Sequence, residues 1–355
     1  EVERAYSWIK ENCREGFDKN EGKNFPEIIK RSKVVPADRD WEFIAKFTVI
    51  VKDILFGNPR LLEMGWKEET NGRNGIEGGF QGQRNWTDFM PNADFSEAIL
   101  NSTFDWNGKR EPIPFATEND GLNGATLLFL QQLTNKAAIF ADVRTYWSPA
   151  AVERVTGWKP EGVAENGFIH MINSGAAALD GTGAVTNEDG ENIMKEWWDM
   201  TDKDIKACLD NTKWCCANLG YFRGGGFSSS FSTKGVMPCT FARVNYVKNL
   251  GPTIQIVEGY TVELPEDVNK VLLERTDPTW PSTWFAPICN NEACKDVYTV
   301  MANWGANHGA FVYGHVGDDL ITLASMLRIP VSLHNVAEGR IFRPHAWTAF
   351  GTQDT

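Results

Sequence analysis

The stretch PIPFATENDGLNGATLLFLQQLTNKAAIFADVRTYW, Pro112 to Trp147, constrains the fold more than any other part of the chain. A short apolar run ends in Thr117-Glu118-Asn119-Asp120-Gly121, a segment of helical spacing follows, and a second apolar run leads to Asp142. The order reads strand, loop, helix, strand, with Asn119 or Asp120 placed to cap the helix. If the two strands are parallel neighbours, their carboxyl ends lie side by side, roughly 5 Å apart per strand step. Glu118 and Asp142 then converge where ligands of α/β sheets gather. Two like charges brought together need a cation or a shared proton, and a divalent metal is the natural partner. Taken singly, Glu118 reads equally well as a capping or loop carboxylate, and Asp142 as a partner of Arg144 or a strand-end cap.

The rest of the chain divides in character. AYSWIKENCREGF and DWEFIAKFTVIVKDILF have helical spacing, and GNPR at 57–60 breaks the second. NGRNGIEGGFQGQRNW at 71–86 reads as a glycine-rich loop and contains neither phosphate-loop nor dinucleotide-binding spacing. From about Phe227 strands dominate: TFARVNYV, TIQIVEGYTVEL, WFAP and IPVSLHNV, interrupted by a helix at DLITLASMLR. The expected fold is mixed α/β, with a Rossmann-like α/β layer at 1–133, incomplete at its start, followed at 134–355 by a β-rich, antiparallel barrel-like domain carrying much of the active site.

With 355 residues the chain can bury a sizeable core and form two domains. A net charge of −12 opposes binding to nucleic acid, and no run reaches the roughly 18 apolar residues of a membrane span. Seven Cys without CxxC pairs point to reduced thiols in a cytoplasmic protein rather than to structural zinc. Fourteen Trp and 21 Phe suit a sugar cleft, but most of them read as core. The opening EVERAYSWIKENCREG is not a signal peptide and lacks an initiator Met, so a truncated or processed chain is expected.

A third ligand has to come from five histidines. His170 and His334 sit in apolar surroundings that suit a core role, and His345 follows a proline near the end of the chain. His308 is expected in a turn with small neighbours and an accessible ring, and His315 at a helix entrance. Spacing favours His308 slightly and leaves His315 open.

ATENDGLNG, IFADVRTYWSP, INSGAAALDG, YFRGGG, NWGANHG, GHVGDDLITLASMLRIPV and RPHAW together resemble the L-fucose isomerase family, over about Gly79 to Trp347. The family's protein is longer, with an additional amino-terminal domain and a carboxy-terminal extension. The resemblance implies a Mn²⁺-dependent aldose–ketose isomerase, cytoplasmic and homo-hexameric, with other divalent cations as substitutes. It would interconvert L-fucose and L-fuculose, and D-arabinose and D-ribulose, through an enediolate, and would bind neither nucleic acid nor membrane. It also implies that Glu118, Asp142 and His308 are the metal ligands, the two acids doubling as proton-transfer groups. Gln81, Ser174, Tyr221, Trp280 and Asn307 become substrate-binding positions on the same basis. In this family a domain boundary falls near Leu133–Ala138, which conflicts with pairing the two acid-bearing strands in one sheet. Two other readings follow: an isomerase preferring arabinose-type sugars, and a sugar-binding fragment without the residues that a neighbouring subunit's amino-terminal domain lends to the family's active site.

Overall fold

The computed structural model describes residues 1–18, 20–22, 39–81, 85–173, 176–275 and 280–342. Helix α2 forms where its spacing predicts, at Asp40–Phe56, stopped by Gly57 at φ 79°, whereas α1, at Val2–Asn12, starts before the stretch AYSWIKENCREGF and ends five residues short of it. Their buried faces meet α3 (Asp94–Asn101), which is enclosed on all sides. In the same region lie four two-residue strands, β1 (Gly78–Gly79), β2 (Phe104–Asp105), β3 (Gly108–Lys109) and β4 (Phe115–Ala116). β1 pairs with β4 in parallel, and β2 with β3 as a hairpin. Among the described residues of 1–133 no larger parallel sheet is present, so the Rossmann-like layer takes no more specific form than this helical body with short strands.

Helix α4 (Gly121–Thr134) starts on Asp120, whose carboxylate accepts the Asn123 N–H at 3.2 Å, and ends on Asn135 in the left-handed region. Beyond it come β5 (Ile139–Trp147), β6 (Phe168–Ile172), β7 (Lys213–Cys216), β8 (Phe227–Ser230), β9 (Pro238–Val247), β10 (Gly251–Val262), β11 (Ser282–Pro287), β12 (His308–Tyr313) and β13 (Val331–His334). Six of these close a barrel in the order β11-β6-β5-β12-β9-β10, every pair antiparallel, with β10 returning to β11. Closure leaves none of the six with a bare edge, and β13 extends the sheet by a parallel pairing to β10. The expected β-rich second half is therefore a true barrel.

The pairing of the two acid-bearing strands is corrected. β4 pairs with β1, outside the barrel, whereas β5 lies inside it between β6 and β12. The two-residue β4 belongs to a separate small sheet, so the acids meet across two layers rather than at neighbouring strand ends. Asp142 is also not at a strand end, because β5 runs on to Trp147. The parts of the chain on either side of residue 133 also touch away from the acids. Trp41 of α2 stacks on Phe227 at 4.0 Å and 7°, and Trp214 packs edge-on against Trp41, so the amino-terminal helices share a core with the β7–β8 hairpin.

The barrel core explains one small residue of the NWGANHG motif. Phe241 stacks on Trp304 at 4.1 Å and 16°, and a Cβ on Gly309 would come within 2.3 Å of the Phe241 ring. The glycine is a packing requirement of the stack, not a turn signal. Gly309→Ala should destabilise the protein by about 1–3 kcal/mol through overpacking, read as a lowered denaturant midpoint with an unchanged slope.

Candidate active site

Strands β5 and β12 pair so that His308 lies directly opposite Asp142. Cross-strand partners point to the same side of a sheet, so the imidazole and the carboxylate meet: His308 Nε2 is 3.2 Å from Asp142 Oδ1. The expectation of an exposed His308 in a turn is corrected, because it is the first residue of β12 and is buried. Its ring edge rests on Phe140 at 5.0 Å, and the Trp304 indole donates to its carbonyl at 3.3 Å.

Glu118 arrives from the other layer. Its backbone is left-handed, φ 58° and ψ 18°, and Asn119 follows at φ 54°. Two consecutive non-glycine residues in this region cost of order 1–3 kcal/mol each and persist only when their surroundings hold them. The Thr117 hydroxyl donates to Glu97 Oε2 at 2.8 Å. Gly79 lies so close that a Cβ would stand 2.9 Å from the Asn119 Cα. The Asn123 amide donates to the Gly309 carbonyl at 2.9 Å, tying the first turn of α4 to the strand that carries His308. The outcome is that Glu118 Oε2 stands 3.8 Å from His308 Nε2, with the Glu118 side chain 48 % exposed against 21 % for Asp142 and 7 % for His308.

The site is strongly anionic. Burial alone would lower the His308 pKa, but the hydrogen bonds and charges of Asp120 and Asp142 outweigh it and raise it to about 9. Burial likewise opposes ionisation of Asp120, and the hydrogen bonds from His308 and Arg243 overcome it, holding this carboxyl well below the usual range. Beneath them Glu97 is pushed up to about 8, first by burial and further by Glu118 and Asp142, against the Thr117 hydrogen bond. Three carboxylates, Asp120, Asp142 and Glu118, gathered about one imidazole mark a place that calls for positive charge. Two carboxylates and one imidazole nitrogen are suitable donors for a divalent cation such as Mn²⁺, and cis ligands about 2.1 Å from an octahedral ion stand about 3 Å apart. Among the described residues no group of three His, Cys, Asp or Glu side chains is arranged to hold a metal ion, so these three suit a cation in donor type and not in present geometry.

Two of the other sequence candidates, Asn307 and Gln81, adjoin elements of this centre. Asn307 is exposed next to His308, and its carbonyl accepts the Val143 N–H at 2.7 Å. Gln81 is exposed just past β1, the strand whose Gly79 backs the Glu118 loop. Tyr221 and Trp280 face one another with centroids 6.2 Å apart, and Trp280 carries the Arg144 guanidinium at 5.5 Å. Ser174 lies outside the described residues, as does His345. Of the remaining histidines, His315 bonds the Gly259 carbonyl at 2.8 Å. His170 is buried against Trp284 at 4.0 Å with its pKa lowered to about 3 by burial and by Arg144, in keeping with a core role. Residues that sequence reasoning missed are Glu97, Arg243 and the second role of Asp120. Asp120 was legible as a cap, but Glu97 and Arg243 lie 20 or more residues from it in sequence and carry no local signal.

Comparison with known proteins decides the family. Residues 1–135 match the domain described as L-fucose isomerase, second N-terminal domain, and residues 171–335 match L-fucose isomerase, C-terminal domain. The chain belongs to the L-fucose isomerase family. It is 61 % identical over 353 residues to an L-fucose isomerase of Clostridium perfringens, 58 % over 352 to one of Bacteroides fragilis and 57 % over 355 to one of Streptococcus pneumoniae. Each alignment covers at least 99 % of this chain and 59 % of the relative. The chain thus spans well under two thirds of the length of these relatives. No described helix is long and apolar enough to cross a membrane.

The buried carboxyl under the strained loop gives a stability prediction. Glu97→Gln keeps an acceptor for Thr117 and should unfold within about 1 kcal/mol of the parent, whereas Glu97→Ala strands the hydroxyl and should cost about 1–3 kcal/mol. Urea unfolding of both variants reads the difference.

Proposed function

We propose that the protein is an aldose–ketose isomerase that interconverts L-fucose and L-fuculose, with Glu118, Asp142 and His308 holding a divalent cation, Mn²⁺ by preference. The observation that carries this reading is the meeting of two carboxylates and one imidazole edge, from β5, β12 and the strained loop before α4, at 3.2 and 3.8 Å. Relatives named L-fucose isomerase supply the substrate class.

Isomerisation moves one proton from C2 to C1 and another between the two oxygens. A cation at this place supplies electrostatic stabilisation for the negative charge that builds on O1 and O2. The protein's own groups move the protons. One carboxylate takes the carbon-bound proton and returns it to the neighbouring carbon, and the other carries the hydroxyl proton. Asp142 and Glu118 fill these two roles, Glu118 from the solvent-facing side and Asp142 from the barrel wall. His308 presents a donor atom that brings no further negative charge. Gln81, Ser174 and Asn307 hydrogen-bond the sugar hydroxyls, while Tyr221 and Trp280 offer ring faces to its C–H surfaces. The working assembly we propose is a homo-hexamer in the cytoplasm, with a division near residue 133 between the α/β part and the barrel part.

One observation supports a second reading. The chain spans 59 % of its relatives' length, so a sugar could bind here without fast turnover if groups from the remainder of such a protein are needed. A panel of L-fucose and D-arabinose with Mn²⁺, followed by detection of the ketose, separates these cases. L-fucose should be converted faster than D-arabinose, EDTA should abolish conversion and added Mn²⁺ restore it. A faster D-arabinose reaction identifies the arabinose-preferring isomerase, and calorimetric sugar binding without ketose identifies the binding form. Glu118→Gln should lower turnover by at least about 10²-fold with an unchanged fold. Near-normal turnover in that variant, or persistent activity in metal-free protein, removes the mechanism.

A further inference from the structure

We propose that Asp120 is a positioning residue that fixes which nitrogen of His308 faces the cation, and that Arg243 holds Asp120 to that task. The proposal rests on the metal-centre reading above and goes beyond it, because neither residue belongs to the ligand set. His308 Nδ1 stands 2.7 Å from Asp120 Oδ2, while Nε2 faces Asp142 and Glu118. That Asp120 oxygen already accepts from Arg243 Nη1, so in its contact with the ring it is Nδ1 that donates. In the neutral imidazole that leaves the Nε2 lone pair, and no proton, on the side of the two acids. The opposite tautomer would aim an N–H at the cation.

Arg243 completes the arrangement. Its Nη1 lies 2.5 Å from the same Asp120 oxygen, its Nε donates to Asn245 Oδ1 at 3.2 Å, and its side chain is only 9 % exposed. The buried guanidinium donates to that carboxylate oxygen and fixes its place beside the imidazole. The remaining oxygen of Asp120 caps α4 through Asn123. One side chain, two residues after Glu118, thus fixes the helix that follows the first ligand and the ring orientation of another. Metal-ligating histidines commonly depend on such an outer carboxylate, and losing it weakens metal binding by about 10–100-fold.

The cap and the histidine contact can be separated by substitution. Serine caps helices about as well as aspartate but cannot reach His308. Mn²⁺ affinity is measured by calorimetry in the parent, Asp120→Asn, Asp120→Ser and His308→Ala, with the fold followed by circular dichroism in EDTA. Asp120→Ser should bind Mn²⁺ about 10–100-fold more weakly than the parent, Asp120→Asn should fall between them, and His308→Ala should lose the most. The double variant Asp120→Ser/Arg243→Gln removes the guanidinium charge left unpaired, and it should reproduce the loss if the single variant folds poorly. Parent-like affinity in Asp120→Ser or in the double variant, alongside a loss in His308→Ala, overturns the positioning role and leaves the metal centre standing. Equal Mn²⁺ affinity in parent and His308→Ala removes the metal centre and this proposal with it.

Discussion

The register between β5 and β12 is the constraint on which the site depends. Shifting one strand by a single residue would send every side chain to the opposite face and separate His308 from Asp142. Apolar contacts hold the register. Phe311 pairs with Ile139 on one side and with Phe241 on the other, and the Phe241–Trp304 stack fills the space left by Gly309. Burying a side chain of this size contributes about 1.5–3 kcal/mol. The hydrophobic core thus sets the register that brings the imidazole and the carboxylate together at one barrel end.

The second acid at this place comes from outside the barrel. The loop before α4 supplies it at the cost of two left-handed residues, Glu118 and Asn119. The support is distributed: Glu97 from α3 holds Thr117, Gly79 of β1 presses against Asn119, and Asn123 bonds the backbone of Gly309. Each support belongs to a different element, and the last of them ties the part of the chain before residue 133 to barrel strand β12. The shared aromatic core of Trp41, Trp214 and Phe227 ties that part to the β7–β8 hairpin farther away.

Much of this was legible in the sequence where the signal is local. α2 begins and ends where the apolar spacing and Gly57 place it, and Asp120 caps α4 as its position before an apolar periodic run implies. The strands from β9 to β11 follow period-two alternation and near-continuous apolar runs. What failed was non-local. A parallel pairing of the two acid-bearing strands was the simplest reading of strand–helix–strand, but β4 belongs to a separate small sheet, and β12, about 170 residues later, takes the place beside β5. His308 looked like a turn residue because glycine flanks it, yet that glycine is demanded by two aromatic rings whose stacking no local pattern reveals. Glu97 and Arg243 were invisible for the same reason: their roles exist only once three layers meet. The long motifs carried the family, and through it all three residues that the fold brings together.

The two acids are held in unlike ways, and this bears on how one site could both grip a cation and move protons. Asp142 is fixed by the ladder bonds of β5 on either side, so its carboxylate has the rigidity that a ligand needs. Glu118 sits on a strained turn with its side chain half exposed, and is anchored by its backbone rather than by its head group. A proton carried between adjacent carbons requires a carboxylate that reaches both positions without leaving the ion, and the freer of two acids meets that need better than the one locked in a sheet. On the isomerase reading this asymmetry follows from the architecture itself. A barrel alone would give two rigid acids and a loop alone two mobile ones, whereas a strained loop seated against a barrel wall gives one of each.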